Sequence, residues 1–268
     1  MSLIDNMKTL EITTAIGCTN ACVYCPQDKL ISAYSKSENT FLQLQDFKKY
    51  LEKIPITTKL HFSGYCEPFQ NPDAIEMMEH AFGEGYHVGI FTTTIGLDFA
   101  KIYKLKSLNS WLRTFSPFYV HIPQRKTDEF LRNITLMESL GLDFSIIKVG
   151  NHVESEAVRE YLLTTSKPVM YQEEVTRAGN LSGTVAPSKM IGAIRCRDNR
   201  QFQNVLLPSG DVQICCQDYS LKYTLGNLKS IKRIEEFYDG DVFKSVVTQM
   251  GEENNDLICR WCYRAEHI

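Results

Sequence analysis

Over the first two thirds of the chain, short runs of β-branched and aromatic residues alternate with longer stretches whose apolar positions recur every three or four residues. The short runs predict six strands: Leu10 to Ile16, Lys59 to Ser63, Val88 to Thr92, Thr114 to His121, Phe144 to Val149 and Val169 to Glu173. The longer stretches predict amphipathic helices. One carries Leu42, Leu44, Phe47, Tyr50, Leu51 and Ile54; another carries Phe130, Ile134, Met137 and Leu140 and stops at Gly141. Strand and helix in alternation predict an α/β fold with a parallel sheet. Six units are too few to close an eight-stranded barrel, so the expected core is an open partial (β/α)6 barrel with its site at the carboxyl ends of the strands.

After Asn180 the pattern changes. Ser182 to Ser188 reads as a connector, and Phe202 to Leu207, Pro208-Ser209-Gly210-Asp211 and Val212 to Cys215 read as a β-hairpin, followed by a helical tail from Ile231 to Met250. The expected division is a barrel over residues 1–183 and a small hairpin-plus-helix domain over 184–268.

Composition narrows the function classes. With 268 residues and 43% hydrophobic content the chain can bury a large core. Its 29 basic and 32 acidic residues leave a net charge of −3, with no basic field for nucleic acid and no broad electrostatic signature of a membrane surface. Nine cysteines without a signal peptide or long apolar segment predict a reducing, cytoplasmic setting in which clustered Cys binds metal.

Cys18, Cys22 and Cys25 follow the first strand as Cys-x3-Cys-x2-Cys, with aromatic Tyr24 before the last thiol. Three thiolates on one loop can hold three irons of a four-iron, four-sulfur cluster and leave the fourth iron open. A structural zinc site is the plainer alternative, but zinc takes four ligands and the nearest spare sulfur is Cys66. The second concentration is C-terminal: Cys196-x13-Gly210-x4-Cys215, then Cys259-x2-Cys262, enough thiolates for a complete cluster or a zinc ribbon. Neighbouring strand positions face opposite ways, so Cys216 is expected to point away from that group and to belong to the core.

The first triplet on a βα scaffold resembles the radical S-adenosylmethionine (AdoMet) superfamily, and the segment 196–262 resembles its SPASM/Twitch auxiliary-cluster extension. Leu207-Pro208-Ser209-Gly210-Asp211-Val212, Cys215-Cys216-Gln217-Asp218 and Gly226-Asn227-Leu228 carry the second likeness. The resemblance implies two 4Fe-4S clusters, one chelated by AdoMet at Cys18, Cys22 and Cys25 and one auxiliary at Cys196, Cys215, Cys259 and Cys262. It further places Gly64 and Glu67 of Ser63-Gly64-Tyr65-Cys66-Glu67-Pro68 near the AdoMet amine, Thr93 and Thr94 near its ribose or carboxylate, and Tyr24 against a ligand ring. Arg177 of Arg177-Ala178-Gly179-Asn180 is the expected catalytic-site cation, pairing with the AdoMet carboxylate or with an oxygen-rich substrate. Cys66 is read as a spare thiol, and His61, His87, His121 and His152 show no metal spacing.

The implied chemistry is reductive AdoMet cleavage and hydrogen abstraction, with reduced flavodoxin or ferredoxin as donor. One auxiliary cluster fits an acceptor for a second electron, so the expected reaction is oxidation of a secondary alcohol on a sugar-like or cyclitol small molecule, as in the aminocyclitol dehydrogenase type of butirosin biosynthesis. No extra N-terminal peptide-capturing domain is read, which favours a small substrate. Peptide modification by thioether formation, crosslinking or epimerisation, and a non-catalytic metal-binding module, are the alternatives.

Overall fold

The computed structural model describes residues 9–35, 39–109, 117–150, 154–181 and 188–268. Barrel strands β1 (Thr9–Ile12), β2 (Lys59–Phe62), β3 (Val88–Thr92), β4 (Phe118–His121), β5 (Ser145–Val149) and β6 (Val169–Gln172) alternate with helices α1 (Gln27–Tyr34), α2 (Leu44–Leu51), α3 (Ala74–Gly83), α4 (Phe99–Ser107), α5 (Thr127–Ser139) and α6 (Glu156–Thr164). All six strands pair parallel in chain order. The expected open barrel is therefore the observed core. Strand one is shorter than expected: it ends at Ile12, beyond which Thr13 N donates to Leu206 O at 2.9 Å and Ala15 forms an isolated bridge to Phe41. Strand four begins at Phe118; the expected start at Thr114 lies outside the described residues, as do His152 and the proposed boundary at 183 with all of its connector but Ser188.

The sheet does not stop at the barrel. After β7 (Ile194–Cys196), strand β8 (Gln203–Leu206) pairs parallel to β1, with Thr9 opposite Gln203 and Ile12 opposite Leu206. Strands β9 (Asp211–Gln213) and β10 (Thr224–Asn227) then add antiparallel, giving nine strands among the described residues in the order β10-β9-β8-β1-β2-β3-β4-β5-β6. The hairpin thus covers the β1 edge, while β6 remains an edge with Tyr171 78% exposed. In place of one helical tail, a 3-10 turn (Ile234–Asp239) breaks at Gly240 before α7 (Asp241–Met250). Strand β11 (Ala265–His267) pairs with β7.

Alternation along the strands sorts core from cavity. Leu10, Ile12, Leu60, Phe62, Val88, Ile90, Val120 and Ile146 are fully buried and belong to one cluster with Phe47, Met77, Met78, Ile102, Phe130, Ile134 and Met137 of the helices. The intervening positions, Glu11, His61, Phe91, His121 and Ile147, line the barrel interior. Gly89 stands beside His61 in the register, and a Cβ there would come within 2.8 Å of the imidazole, so glycine makes room for the ring. No helix among the described residues is long and apolar enough to cross a membrane.

Candidate active site

Between β1 and α1 the cysteine loop is held from several sides. Gln27, buried at the start of α1, accepts from Cys18 N at 3.3 Å, donates to the Tyr65 carbonyl at 2.6 Å and lies 3.4 Å from Cys25 Sγ. Val23 N donates to Gln124 at 2.7 Å, and Thr19 Oγ1 accepts from Gln70 at 2.5 Å. Cys18, Cys22 and Cys25 line a cavity of about 370 Å³ inside the barrel. Burial pushes the Cys18 thiol up to about 12 and raises that of Cys22. Such thiols become thiolates when a cation joins them, which is what iron supplies. Among the described residues no three His, Cys, Asp or Glu side chains close around a single ion. The open triplet suits a polynuclear group better than one zinc, whose thiolates stand about 2.3 Å from the metal.

The residues expected near AdoMet take distinct places. Gly64 and Tyr24 line the cavity, and Tyr24 also borders an adjoining cleft of about 340 Å³ with Ile122, Pro123, Lys148 and Val149. Gly64 has φ +64°, and a Cβ there would lie 2.3 Å from Thr13 Oγ1, so its closest constraint is Thr13. Glu67, 2% exposed, accepts from Thr92 Oγ1 at 2.6 Å, from Thr93 N at 2.6 Å, from Thr93 Oγ1 at 2.5 Å and from Phe69 N at 3.4 Å. Burial pushes its carboxyl up to about 7 against the pull of these donors. Both its oxygens are therefore committed to the turn after β3, and Thr93, on the cavity wall, spends its hydroxyl proton there. Thr94 is fully buried at φ +65° with its hydroxyl unpartnered, and is not among the residues lining the cavity.

Asn20 completes this network. Its Nδ2 donates to Thr93 Oγ1 at 2.6 Å, while its Oδ1, on a side chain 2% exposed at the cavity wall, has no partner. A buried acceptor left open costs about 1–3 kcal/mol unless a ligand supplies the donor. Cys66 accepts from Thr14 N at 3.3 Å, and burial pushes its thiol up to about 11.

Arg177 reaches the cavity from a strained turn. Arg177, Ala178 and Gly179 have φ of 51°, 53° and 76° in succession. For the two non-glycine residues that conformation costs on the order of 1–3 kcal/mol each. Asn180 holds the turn, donating to Arg177 O at 2.8 Å and to Gln217 O at 2.9 Å, and Arg177 Nε donates to Tyr24 O at 3.3 Å. Burial works against its charge, but Tyr219, Cys216 and Cys25 more than offset this, and the guanidinium pKa rises. Opposite stand three groups absent from the sequence-based site: Glu11, Arg200 and Cys216. Arg200 Nη1 lies 3.5 Å from Cys216 Sγ. Burial raises the Glu11 carboxyl, Arg200 pulls it down, and the Cys216 thiol and Gly64 backbone hydrogen-bond to it. Burial lowers His61 and His121 to about 4, keeping both neutral.

The four C-terminal cysteines converge. Cys196, Cys215, Cys259 and Cys262 line one internal hole with Ile214, Val246, Met250 and Ile258. Burial pushes Cys259 up to about 12 and Cys215 well above the thiol range, with neighbouring thiols adding to both. Arg260, fully buried between the last two cysteines, anchors their loop by donating to the carbonyls of Met190, Gly192, Gln249 and Glu252 at 2.5–3.1 Å. Cys215 faces this hole and Cys216 the barrel cavity, although both lie in the turn after β9 and not on the strand whose alternation was expected to separate them. Two tyrosines join the sets: Tyr219 OH lies 3.5 Å from Cys25 Sγ, its ring meets Tyr65 edge-on at 4.8 Å, and Tyr65 OH donates to Cys215 O at 2.9 Å. The thiol-rich donor sets of both sites fit iron–sulfur clusters.

Residues 12–164 match the family model described as the radical SAM superfamily. The fold resembles BtrN in complex with AdoMet and 2-DOIA, 16% identical, over 98% of this chain and 94% of that one, with a TM-score of 0.57. It also resembles Streptococcus suis SuiB bound to precursor peptide SuiA, 10% identical, over 95% of this chain and 69% of that one, with a TM-score of 0.63. No curated protein sequence matches the chain. At these identities the likeness shows the fold, an α/β partial barrel with a C-terminal antiparallel hairpin. The family match, which spans more than half the sequence and includes the three-cysteine loop at the mouth of that barrel, shows that the chain belongs to the radical SAM superfamily.

Proposed function

We propose that this radical AdoMet enzyme is a dehydrogenase for a hydroxylated small molecule, with a 4Fe-4S cluster at Cys18, Cys22 and Cys25 and an auxiliary one at Cys196, Cys215, Cys259 and Cys262. The observation that carries the reading is the cavity into which Glu11, His61, His121, Gln172, Arg177 and Gln203 bring polar groups, with a four-cysteine hole behind its Arg200 wall. When bound, the first cluster and AdoMet supply a 5′-deoxyadenosyl radical that takes a hydrogen atom from a C–H bond. The chain's own part is positioning. The cavity's donors and acceptors orient a polyol, Asn20 Oδ1 offers an acceptor to the α-ammonium or ribose of AdoMet, and Tyr24 packs against its adenosyl end. A reduced flavodoxin or ferredoxin is the donor this chemistry needs.

Anaerobic reconstitution tests the cofactor assignment: about eight irons per chain are expected, and about four after Cys18, Cys22 and Cys25 are all replaced by alanine. Stoichiometric zinc would overturn it. Incubation with AdoMet, reductant and a panel of polyols and aminocyclitols tests the reaction, which should give 5′-deoxyadenosine and a carbonyl product in equal amounts. Epimerised product would overturn the dehydrogenase reading. The second reading, peptide modification, draws support from the fold shared with SuiB, whose structure holds a precursor peptide, and from the exposed β6 edge. Crosslinked peptide in the same assay would favour it.

A further inference from the structure

Arg200 is the one residue, among those described, that lines both the barrel cavity and the four-cysteine hole. Its backbone N–H donates to Cys196 Sγ at 3.3 Å, and its guanidinium extends to the cavity side, 3.5 Å from Cys216 Sγ. Its Nε is buried without a hydrogen-bond partner. Glu11, whose charge acts on it, lines the same cavity and sits mid-strand on β1 between His61 of β2 and Val205 of β8. Of the two carboxylates lining the cavity, Glu67 is fully engaged by Thr92, Thr93 and Phe69, whereas Glu11 is held only by the Cys216 thiol and the Gly64 backbone. The groups facing Glu11 are Arg200 and Arg177, the Cys216 thiol and the Gly64 backbone. Burial raises its carboxyl, which prepares it to take up a proton.

We propose that Glu11 receives the hydroxyl proton of the substrate radical and that Arg200 transmits the resulting loss of negative charge to the auxiliary cluster, so that proton and electron leave together. The inference rests on the proposed reading of the C-terminal cysteines as ligands of an iron–sulfur cluster. In the step, the carbon radical bearing a hydroxyl becomes a carbonyl: the O–H bond breaks, the C–O bond becomes double, the proton goes to the Glu11 carboxylate, and one electron goes to a one-electron oxidant of the iron–sulfur class. Neutral Glu11 no longer balances the Arg200 cation. An unbalanced cation beside a cluster ligand favours the reduced, more negative form of the cluster. Glu11 would be catalytic, and Arg200 a positioning residue that acts through the cluster's potential.

The test needs no substrate. In the full-length chain with Cys18, Cys22 and Cys25 replaced by alanine, the auxiliary cluster is titrated potentiometrically by electron paramagnetic resonance across a pH series. The parent's potential should rise as pH falls through the Glu11 titration. Glu11→Gln should hold the raised potential at every pH. Arg200→Gln should lower the potential and lose the pH response, and Arg200→Lys, which keeps the charge, should retain most of both. A four-iron parent whose pH response is unchanged in Glu11→Gln and Arg200→Gln overturns the inference alone. A parent that binds no iron overturns the cluster assignment and the inference with it.

Discussion

Replacing Gly64 by alanine separates two reasons for a glycine at the cavity wall: close approach of AdoMet, and close approach of the fold to itself. At φ +64° an alanine pays for the left-handed conformation, about 1–2 kcal/mol. Its Cβ would also lie 2.3 Å from Thr13 Oγ1 and 3.2 Å from Val205 Cγ1. Thr13 must move, and its hydroxyl is the acceptor for Tyr65 N at 3.2 Å. Losing that acceptor leaves a buried N–H unpaired at about 1–3 kcal/mol, so Gly64→Ala is expected to cost about 2–5 kcal/mol. Thr13→Ala alone loses the same hydrogen bond but opens the space the new methyl needs. In the double variant the overlap is gone and the bond is lost only once, so the two costs should fall short of additivity by about 1–3 kcal/mol. Urea unfolding of the cluster-free chain, read by circular dichroism at a single pH, gives all four stabilities. Strict additivity would refute the reasoning. AdoMet affinity in the reconstituted double variant then reads the ligand's share: an unchanged Kd is expected if the glycine serves Thr13.

Gln27→Ala strips Cys18 N and Tyr65 O of their partner, and should destabilise the loop by about 1–3 kcal/mol; iron counting in that variant should show the first site filled less completely than the C-terminal one. Asn20→Ala removes the open acceptor at the cavity wall and should weaken AdoMet binding by about tenfold, the equivalent of one hydrogen bond; calorimetric titration under nitrogen checks it. His61 and His121 fall from the ordinary 6.5 to about 4 on burial, so the folded chain takes up their protons later than the unfolded one. Their stabilisation is full above about pH 6.5 and is lost as pH falls toward 4, about 3 kcal/mol for each. His61→Gln and His121→Gln together should flatten the acid limb of a stability–pH curve; an unchanged limb counts against the assignment.

Local spacing made the cysteine sites readable. Cys18, Cys22 and Cys25 lie on one loop, and the strand–helix alternation that places this loop at a strand end is itself a short-range pattern. What was not readable depends on contacts far apart in sequence. Glu11 lies between Leu10 and Ile12, an alternation that any half-exposed strand shows, and only barrel curvature turns its face into a cavity. Glu67 sits in the expected turn, yet its four donors come from residues 69, 92 and 93, which leave no acceptor free. Asn20 carried a usable signal, a polar amide inside the triplet, but its open oxygen follows from the Thr93 hydrogen bond. Arg200 and Arg260 are not singled out in the sequence, because nothing in their neighbourhoods announces that the chain closes over them.

The pairing of β8 with β1 gives the two cysteine sets their relation. Parallel pairing without a local signature is set by the hydrophobic surface each strand buries, and here it joins segments almost 200 residues apart. Cys18, Cys22 and Cys25 follow the carboxyl end of β1. Cys196 and Arg200 precede the amino end of β8, and antiparallel β9 returns Cys215 to that same end. Strands that run parallel and in register therefore put the two sets at opposite ends of one wall, with Glu11 opposite Val205 midway along it. A strand rises about 3.3 Å per residue, so the four paired residues span on the order of 10 Å of that wall. A molecule lying against that wall would meet the three-cysteine loop at one end and the four-cysteine hole at the other. Had β8 joined the free edge of β6 instead, the barrel could have closed further, but Glu11 would have lain on an edge strand without Arg200 or the second cysteine set beside it.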